Sequence, residues 1–161
     1  MDFELIEKIL KNVLKKLREF DFKLLEVNVN ERTISHKLAE YLQQNIHDLS
    51  VDCEYNRHQG LIKKLNIPCD DIDREDLDAK TIFPDIVIHK RNTNDENLLI
   101  IEIKKSTNNQ SHDFDISKIK ALTNEPYNYK FGLFLEINVA GGSDSLKWFK
   151  EGKLFKQVDL N

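Results

Sequence analysis

The chain of 161 residues has few cysteines, prolines and glycines, and it has no long apolar run. The two cysteines, Cys53 and Cys69, make neither a disulfide framework nor a zinc site, so we expect two reduced thiols in a cytoplasmic protein. No apolar stretch approaches the roughly 20 residues that span a bilayer, and the charged N-terminal segment does not resemble a secretory signal. These absences argue against a membrane partner.

What is present is typical of one globular domain. Apolar residues make up 40% of the chain and charged residues 32%, a balance that supports a buried core at this length. The formal net charge is −4, which argues mildly against broad non-specific nucleic-acid binding. Local basic patches are not excluded, and the segment 145–158 is one candidate because it is rich in lysine.

Two amphipathic helices are predicted in the first third of the chain. Apolar residues recur with helical periodicity over 2–19, and those of 30–46 lie four apart, with Asn30 placed as an N-cap. The following stretch, 50–56, has the pattern of a short strand. The region 57–81 is polar and predicts an irregular excursion.

The second half predicts a sheet with a crossover helix. The pattern gives strands at 82–90 and 98–105 around the turn-rich loop 91–97, a helix at 112–122 and a strand at 129–139. Strand, helix and strand in this order imply a right-handed crossover between parallel strands, and the last residues predict a short strand or helix. The expected class is α/β, a mixed sheet flanked by helices.

Three ionisable residues interrupt the apolar hairpin FPDIVIHKRNTNDENLLIIEIKKS. If the hairpin turns about the Thr93–Asn94 bond, paired residue numbers sum to 187, which sets Asp85 opposite Glu102. Lys104 lies two residues beyond Glu102 and therefore shares its face. The sequence predicts one cluster of two carboxylates and an amine on one side of the sheet.

Two carboxylates at this separation repel each other, and a divalent cation between them removes the conflict. Asp85, Glu102 and the backbone carbonyl of Ile103 form a reasonable partial shell for Mg²⁺, which takes few protein ligands and keeps its waters. The alternative is an ordinary carboxylate–lysine ion pair at a half-exposed strand end.

Glu31 is a fourth candidate. At 100° per residue it falls on the same side of the second helix as Leu38 and Leu42, which face the core, whereas Glu40 faces solvent. The alternative for Glu31 is an acid in the first helical turn, where the helix dipole favours a negative charge.

Pro84–Asp85 followed by Glu102–Ile103–Lys104 resembles the signature of the PD-(D/E)xK nuclease superfamily, which has the restriction-endonuclease-like fold. The stretch NERTISHKLAEYL is similar to the first core helix of its Holliday-junction-resolvase branch, with Glu31 in the place of an active-site glutamate. The resemblance covers an αβββαβ core over about 30–138 within a single domain, 1–161. It also looks like small uncharacterised bacterial members, and the helix 2–19 is extra.

The resemblance implies a metal-dependent nuclease, with DNA as the expected polymer. Asp85, Glu102 and the Ile103 carbonyl would hold Mg²⁺, with Mn²⁺ as an alternative ion. Lys104 would orient or deprotonate the attacking water, and Glu31 would complete the shell or hold a second metal ion.

Weaker candidates for nucleic-acid contact lie outside this signature. Each has a simpler reading as a solvated side chain, and we favour that reading for all of them. In the functional reading, the lysines of the segment 145–158 would contact phosphate and its tryptophan would stack on bases. The candidates are Arg57, Lys118, Lys147, Trp148 and Lys150.

Two alternatives to an independent nuclease stay open. One is a non-catalytic nucleic-acid-binding or interaction module on the same fold, and the other is a nuclease subunit of a larger defence or repair complex. A homodimer is a further alternative, because many such nucleases dimerise to cut both strands.

Overall fold

A computed structural model describes residues 1–58, 61–62, 64–65, 80–81, 83–93, 95–139 and 141–160. Within 57–81 the description is of backbone alone. Most of the predicted irregular excursion therefore lies outside the described residues.

The described residues form four helices. They are α1 (Phe3–Phe20), α2 (Phe22–Glu26), α3 (Glu31–Gln43) and α4 (Asp113–Leu122). The predictions of α1, α3 and α4 are confirmed to within a few residues, whereas the short helix α2 was not predicted. The Asn30 cap is also confirmed, since its Oδ1 accepts a hydrogen bond from the Arg32 N–H at 2.9 Å. None of these helices has the length and apolar character needed to cross a bilayer.

Ten strands are described, and six of them form one mixed, open sheet. The ten are β1 (Ser50–Cys53), β2 (Arg57–His58), β3 (Leu61–Ile62), β4 (Lys64–Leu65), β5 (Lys80–Thr81), β6 (Ile86–His89), β7 (Leu99–Lys105), β8 (Phe131–Ile137), β9 (Asp144–Lys150) and β10 (Lys153–Leu160). The large sheet has the order β1-β6-β7-β8-β9-β10, and the other four strands form two small antiparallel pairs. The chain is thus α/β.

The central hairpin has the predicted register. Strands β6 and β7 are antiparallel, and Ile86 pairs with Ile101, Val87 with Ile100 and Ile88 with Leu99, so each pair sums to 187. The parallel arrangement of β7 and β8 is confirmed as well, with Glu102 beside Phe134. These two registers fix which residues share a face with Glu102.

The C-terminal part of the chain contains more regular structure than predicted. Instead of one short strand or helix, β9 and β10 form a seven- and an eight-residue strand that add two full members to the sheet. Glu151 and Gly152 make the turn between them with φ values of 49° and 70°, the left-handed conformation that a two-residue hairpin loop requires. The sheet therefore extends to residue 160, well past residue 138.

Helices cover both faces of the large sheet. Buried residues of α1 and α3 pack with Ile101 and Ile103 on one face, while Ile119 and Leu122 of α4 pack on the face of Ile100 and Phe134. The N-terminal helix is not peripheral, because five of its apolar residues are buried in the main core. Burial on both faces explains why β6 and β7 are almost continuously apolar.

Gly132 on β8 lets α4 approach the sheet. A Cβ at this position would lie 2.3 Å from Ile119 Cγ2 and 3.0 Å from Thr123 Cγ2. We expect Gly132→Ala to lower the free energy of unfolding by about 1–3 kcal/mol, because the added methyl group overpacks this contact. Chemical denaturation measures the loss.

A double-mutant cycle separates this contact from a general glycine effect. Ile119→Ala removes Cγ2, so Gly132→Ala should cost less in that background than in the wild type. Strictly additive losses would contradict the close approach of α4.

Candidate active site

Asp85 lies at the point where the β6–β7 ladder ends. In the observed register the residue opposite Ile103 would be Pro84, but the ladder stops at the Ile86–Ile101 pair. The Asp85 side chain continues it, since Oδ2 accepts a hydrogen bond from the Ile103 N–H at 2.7 Å. Because the N–H and C=O of one strand residue point to the same side, the Ile103 carbonyl also faces Asp85.

Glu102 is a buried carboxylate, and one of its two oxygens has no hydrogen-bond partner among the described residues. Its exposed fraction is 2%, although it stands in a strand whose other interior residues are apolar. Oε2 lies 2.7 Å from the Lys118 Nζ, whereas Oε1 has no hydrogen-bond partner among the described residues. An unsatisfied buried acceptor costs about 1–3 kcal/mol, so this atom needs an explanation.

Helix α4 adds two residues to this cluster. Lys104 Nζ lies 3.1 Å from Asp115 Oδ2, and Lys118 Nζ lies 3.5 Å from Asp115 Oδ1. Both α4 residues are buried, so the expectation that Lys118 is solvated was wrong. Asp115 was not predicted at all, although its spacing of three from Lys118 on one helix is a signal for a shared face.

The two acids nearest the ladder end hold their protons more tightly than usual. Burial raises the pKa of Glu102 well above its usual range; Lys118 opposes this shift and the charge of Asp85 adds to it. Burial also raises the pKa of Asp85, although the Ile103 N–H and the Lys118 charge oppose the shift. Mutual repulsion of buried carboxylates is the situation that a bound cation relieves.

The two lysines stay protonated. Burial is the largest single influence on Lys104 and lowers its pKa, but the hydrogen bond to Asp115 and the charges of Asp115, Glu31 and Asp85 together outweigh it, so the net shift is upward. Burial likewise lowers the pKa of Lys118, and the hydrogen bond to Glu102 together with the surrounding carboxylate charges more than offsets it. Lys104 is therefore better suited to offset negative charge than to remove a proton from water.

Glu31 lies at the C-terminal end of β7. Its Oε1 accepts hydrogen bonds from the Lys105 N–H and from Asn108 Nδ2, both at 3.0 Å, and its charge contributes to the raised pKa of Lys104. Glu40 is exposed, as the helical wheel predicted. The Lys105 side chain points away from Lys104, because the Lys105 Nζ donates a hydrogen bond to the Val29 carbonyl oxygen at 2.8 Å.

The donor set suits a hard divalent cation that keeps most of its waters. Asp85 and Glu102 supply carboxylate oxygens, one of which is buried and has no hydrogen-bond partner among the described residues, and the Ile103 carbonyl points to the side of β7 on which Asp85 lies. In the described part of the chain no three acidic, histidine or cysteine side chains converge as a metal group. Asp85 and Glu102 are a pair of carboxylates, and Mg²⁺ is usually bound through one or two.

The residues predicted to contact nucleic acid have mixed outcomes. Trp148 is fully buried and packs edge-on against the Phe3 ring at 5.0 Å, so the prediction that it stacks on bases was wrong. Lys147 lies over the Phe134 ring at 5.8 Å, and Lys150 is exposed. The side chain of Arg57 lies outside the described residues.

Comparison with known proteins supplies no family. No model of a known protein family matches the chain, and no curated protein matches it.

Removing the Asp85 charge should stabilise the metal-free fold at neutral pH. Asn keeps an oxygen for the Ile103 N–H but cannot ionise. Because the raised pKa of Asp85 means that the folded state binds its proton more tightly than the unfolded chain, stability falls as pH rises and this carboxyl ionises. We expect Asp85→Asn to have the higher melting temperature at pH 8 in EDTA.

The difference in melting temperature should shrink as the pH falls toward the ordinary aspartate value of about 3.9. Paired thermal melts of both proteins between pH 4 and pH 8 measure it. Groups that do not interact with Asp85 cancel in the comparison, whereas Glu102, whose raised pKa depends partly on the Asp85 charge, contributes in the same direction. A difference in melting temperature that does not change with pH would contradict the claim that ionisation of Asp85 destabilises the metal-free protein.

Proposed function

We propose that the protein is a metal-dependent nuclease that hydrolyses phosphodiester bonds, with DNA as the expected polymer. One observation carries the proposal: Asp85 accepts a hydrogen bond from the Ile103 N–H where the β6–β7 ladder ends, so in the continued 187 register it lies beside Glu102, and Lys104 shares the face of Glu102. Glu102 keeps a buried oxygen without a hydrogen-bond partner among the described residues. The cost of such an arrangement is readily understood if a cation binds there.

The fold proposed is the restriction-endonuclease-like type, extended beyond its αβββαβ core. The order α3, β1, β6, β7, α4, β8 matches that core, with β1, β6 and β7 as an antiparallel series and β8 parallel to β7. Helix α1 and the β9–β10 hairpin are additions. The PD-(D/E)xK resemblance and this strand order support each other.

Each side chain then has a defined task. Asp85, Glu102 and the Ile103 carbonyl would hold Mg²⁺ or Mn²⁺, which would supply a Lewis acid and lower the pKa of a bound water toward neutrality. Lys104, held protonated by Asp115, would offset the negative charge that grows on the phosphate oxygens as water attacks. Glu31 would fix the end of β7 through the Lys105 N–H and add negative charge near the ion.

A contact to the polymer is proposed at Lys147 of β9. Lys147 shares a face with Glu102, because both pair with Phe134 across β8. Its ammonium could therefore meet a phosphate on the same side of the sheet, whereas exposed Lys150, three residues further along the strand, faces the other side. We propose that the protein acts in the cytoplasm.

The experiment is a cleavage panel. Purified protein is incubated with supercoiled, linear, branched and single-stranded DNA, and with RNA, in the presence of Mg²⁺, Mn²⁺ or EDTA. We expect cleavage of at least one polymer with metal and none in EDTA. Cleavage that EDTA does not suppress would refute the proposed chemistry.

A binding module without catalysis is the second candidate. The favouring observation is that Lys118 and Lys104 already neutralise Glu102 and Asp115, so the cluster has counter-ions without a metal. Retention of a nucleic acid in EDTA, together with no metal binding and no cleavage, would support it. A protein that binds metal yet cuts nothing in the panel would instead indicate a nuclease subunit that needs a partner.

A further inference from the structure

Lys118 stands between two carboxylates at unequal distances. Its Nζ lies 2.7 Å from Glu102 Oε2 and 3.5 Å from Asp115 Oδ1. The side chain is only 9% exposed, so water contributes little to its solvation. One ammonium therefore has a primary acceptor on the sheet and a second acceptor on its own helix.

The primary acceptor is also a proposed metal ligand. The Lys118 ammonium lies on Oε2, whereas Oε1 is the oxygen without a hydrogen-bond partner among the described residues. A divalent cation on Oε1 would therefore stand close to that ammonium across one carboxylate, and the two positive charges would repel each other. Metal binding at Glu102 is thus favoured when the ammonium moves to another acceptor.

We propose that Lys118 is an exchangeable counter-ion of the candidate metal site. It neutralises Glu102 in the metal-free protein and moves onto Asp115 when a divalent cation binds. This inference rests on the proposed function, since it presupposes metal binding at Glu102.

Asp115 is suited to receive the displaced ammonium. It precedes Lys118 by three residues on α4, so the two side chains lie on one face of the helix. The distance to be closed is from 3.5 Å to hydrogen-bond length, which rotation about the terminal bonds of a flexible lysine achieves without backbone movement. Asp115 also holds Lys104, so it would then serve two ammonium groups.

Lys104 provides a matched control for net charge. Lys104 belongs to the same cluster as Lys118 and carries the same charge, but it forms its ion pair with Asp115 rather than with Glu102. Lys104→Met and Lys118→Met thus change the charge of the cluster equally. A specific competition at Glu102 should distinguish them.

The test is calorimetric titration of Mn²⁺ and of Mg²⁺ into the full chain without nucleic acid. We expect Lys118→Met to bind metal roughly tenfold or more tightly than the wild type, because no charge-assisted hydrogen bond has to break first. Lys104→Met should gain clearly less. Equal gains in the two variants, or no gain in Lys118→Met, would overturn the inference and leave the metal site itself standing.

A double-mutant cycle tests the second half of the exchange. Asp115→Asn removes the charge that receives Lys118, so it should weaken metal binding in the wild type more than in the Lys118→Met background. Equal effects in both backgrounds would mean that Asp115 acts only through its charge and would overturn the exchange.

Folding is checked for every variant by thermal melts in EDTA. If Lys118→Met does not fold, Lys118→Arg replaces it: a guanidinium can bind Glu102 with two hydrogen bonds, so metal affinity should fall below that of the wild type. Unchanged affinity in Lys118→Arg would overturn the inference. Absence of metal binding by the wild type would refute both this inference and the proposed function.

Discussion

Asp85→Ala is expected to reduce metal-dependent cleavage by about 100-fold or more while leaving the fold intact. The loss follows from removing one of two carboxylates at the proposed metal site, where preorganised charges contribute effects of that order. The structural cost is small by comparison: the Ile103 N–H loses its acceptor, which costs about 1–3 kcal/mol, against a total stability of about 5–15 kcal/mol. Initial rates on the best substrate of the panel measure the effect.

Two further variants separate chemistry from structure. Asp85→Asn keeps an acceptor for the Ile103 N–H and should still lose cleavage, so its defect cannot be assigned to a damaged hairpin. Glu40→Ala removes an exposed carboxylate of α3 that pairs with Lys37, and it should cleave like the wild type. Undiminished cleavage by folded Asp85→Ala protein would remove the basis for the assignment.

Trp148→Ala is expected to lower the free energy of unfolding by about 3–5 kcal/mol, the range for deleting a buried aromatic side chain. Trp148 is fully buried in the main core, where its ring meets Phe3, and the deletion leaves a large cavity. For a chain of this size the melting temperature should fall by on the order of 10 °C. Urea denaturation and thermal melts measure both quantities.

The fluorescence of Trp148 tests whether this side chain is buried or stacks on bases. Trp148 is the single tryptophan of the chain, so intrinsic fluorescence reports its environment alone. We expect it to be protected from a soluble quencher, and we expect nucleic acid to leave that protection unchanged. The conservative variant Trp148→Phe should bind nucleic acid like the wild type. A tryptophan that is readily quenched, or a Trp148→Phe protein with weakened binding, would restore base stacking as its role.

The hairpin was predictable because several signals agreed. A loop of turn-forming residues between two apolar runs fixes the register, and the period of two along each strand then assigns the faces. The position of Glu31 followed from its N-cap neighbour and from the helical period. These are local signals, and they sufficed to bring Asp85 and Glu102 together.

The helix side of the site was not predictable in the same way. The face that α4 presents to the sheet depends on close packing at Gly132, a contact between distant parts of the chain. For that reason Asp115 was missed and Lys118 was taken as solvated. Leu146, Lys147 and Trp148 alternate between apolar and charged side chains, which is the pattern of a half-buried strand. The lysines around Trp148 suggested a basic patch instead.

Binding of Mg²⁺ or Mn²⁺ in the absence of any nucleic acid tests the central claim most directly, because it does not depend on choosing the right polymer. We expect the wild-type protein to bind the ion and gain thermal stability, and Asp85→Ala to lose both responses. Wild-type protein that neither binds the ion nor becomes more stable, or an Asp85→Ala protein that binds it equally well, would contradict a metal site at Asp85 and Glu102.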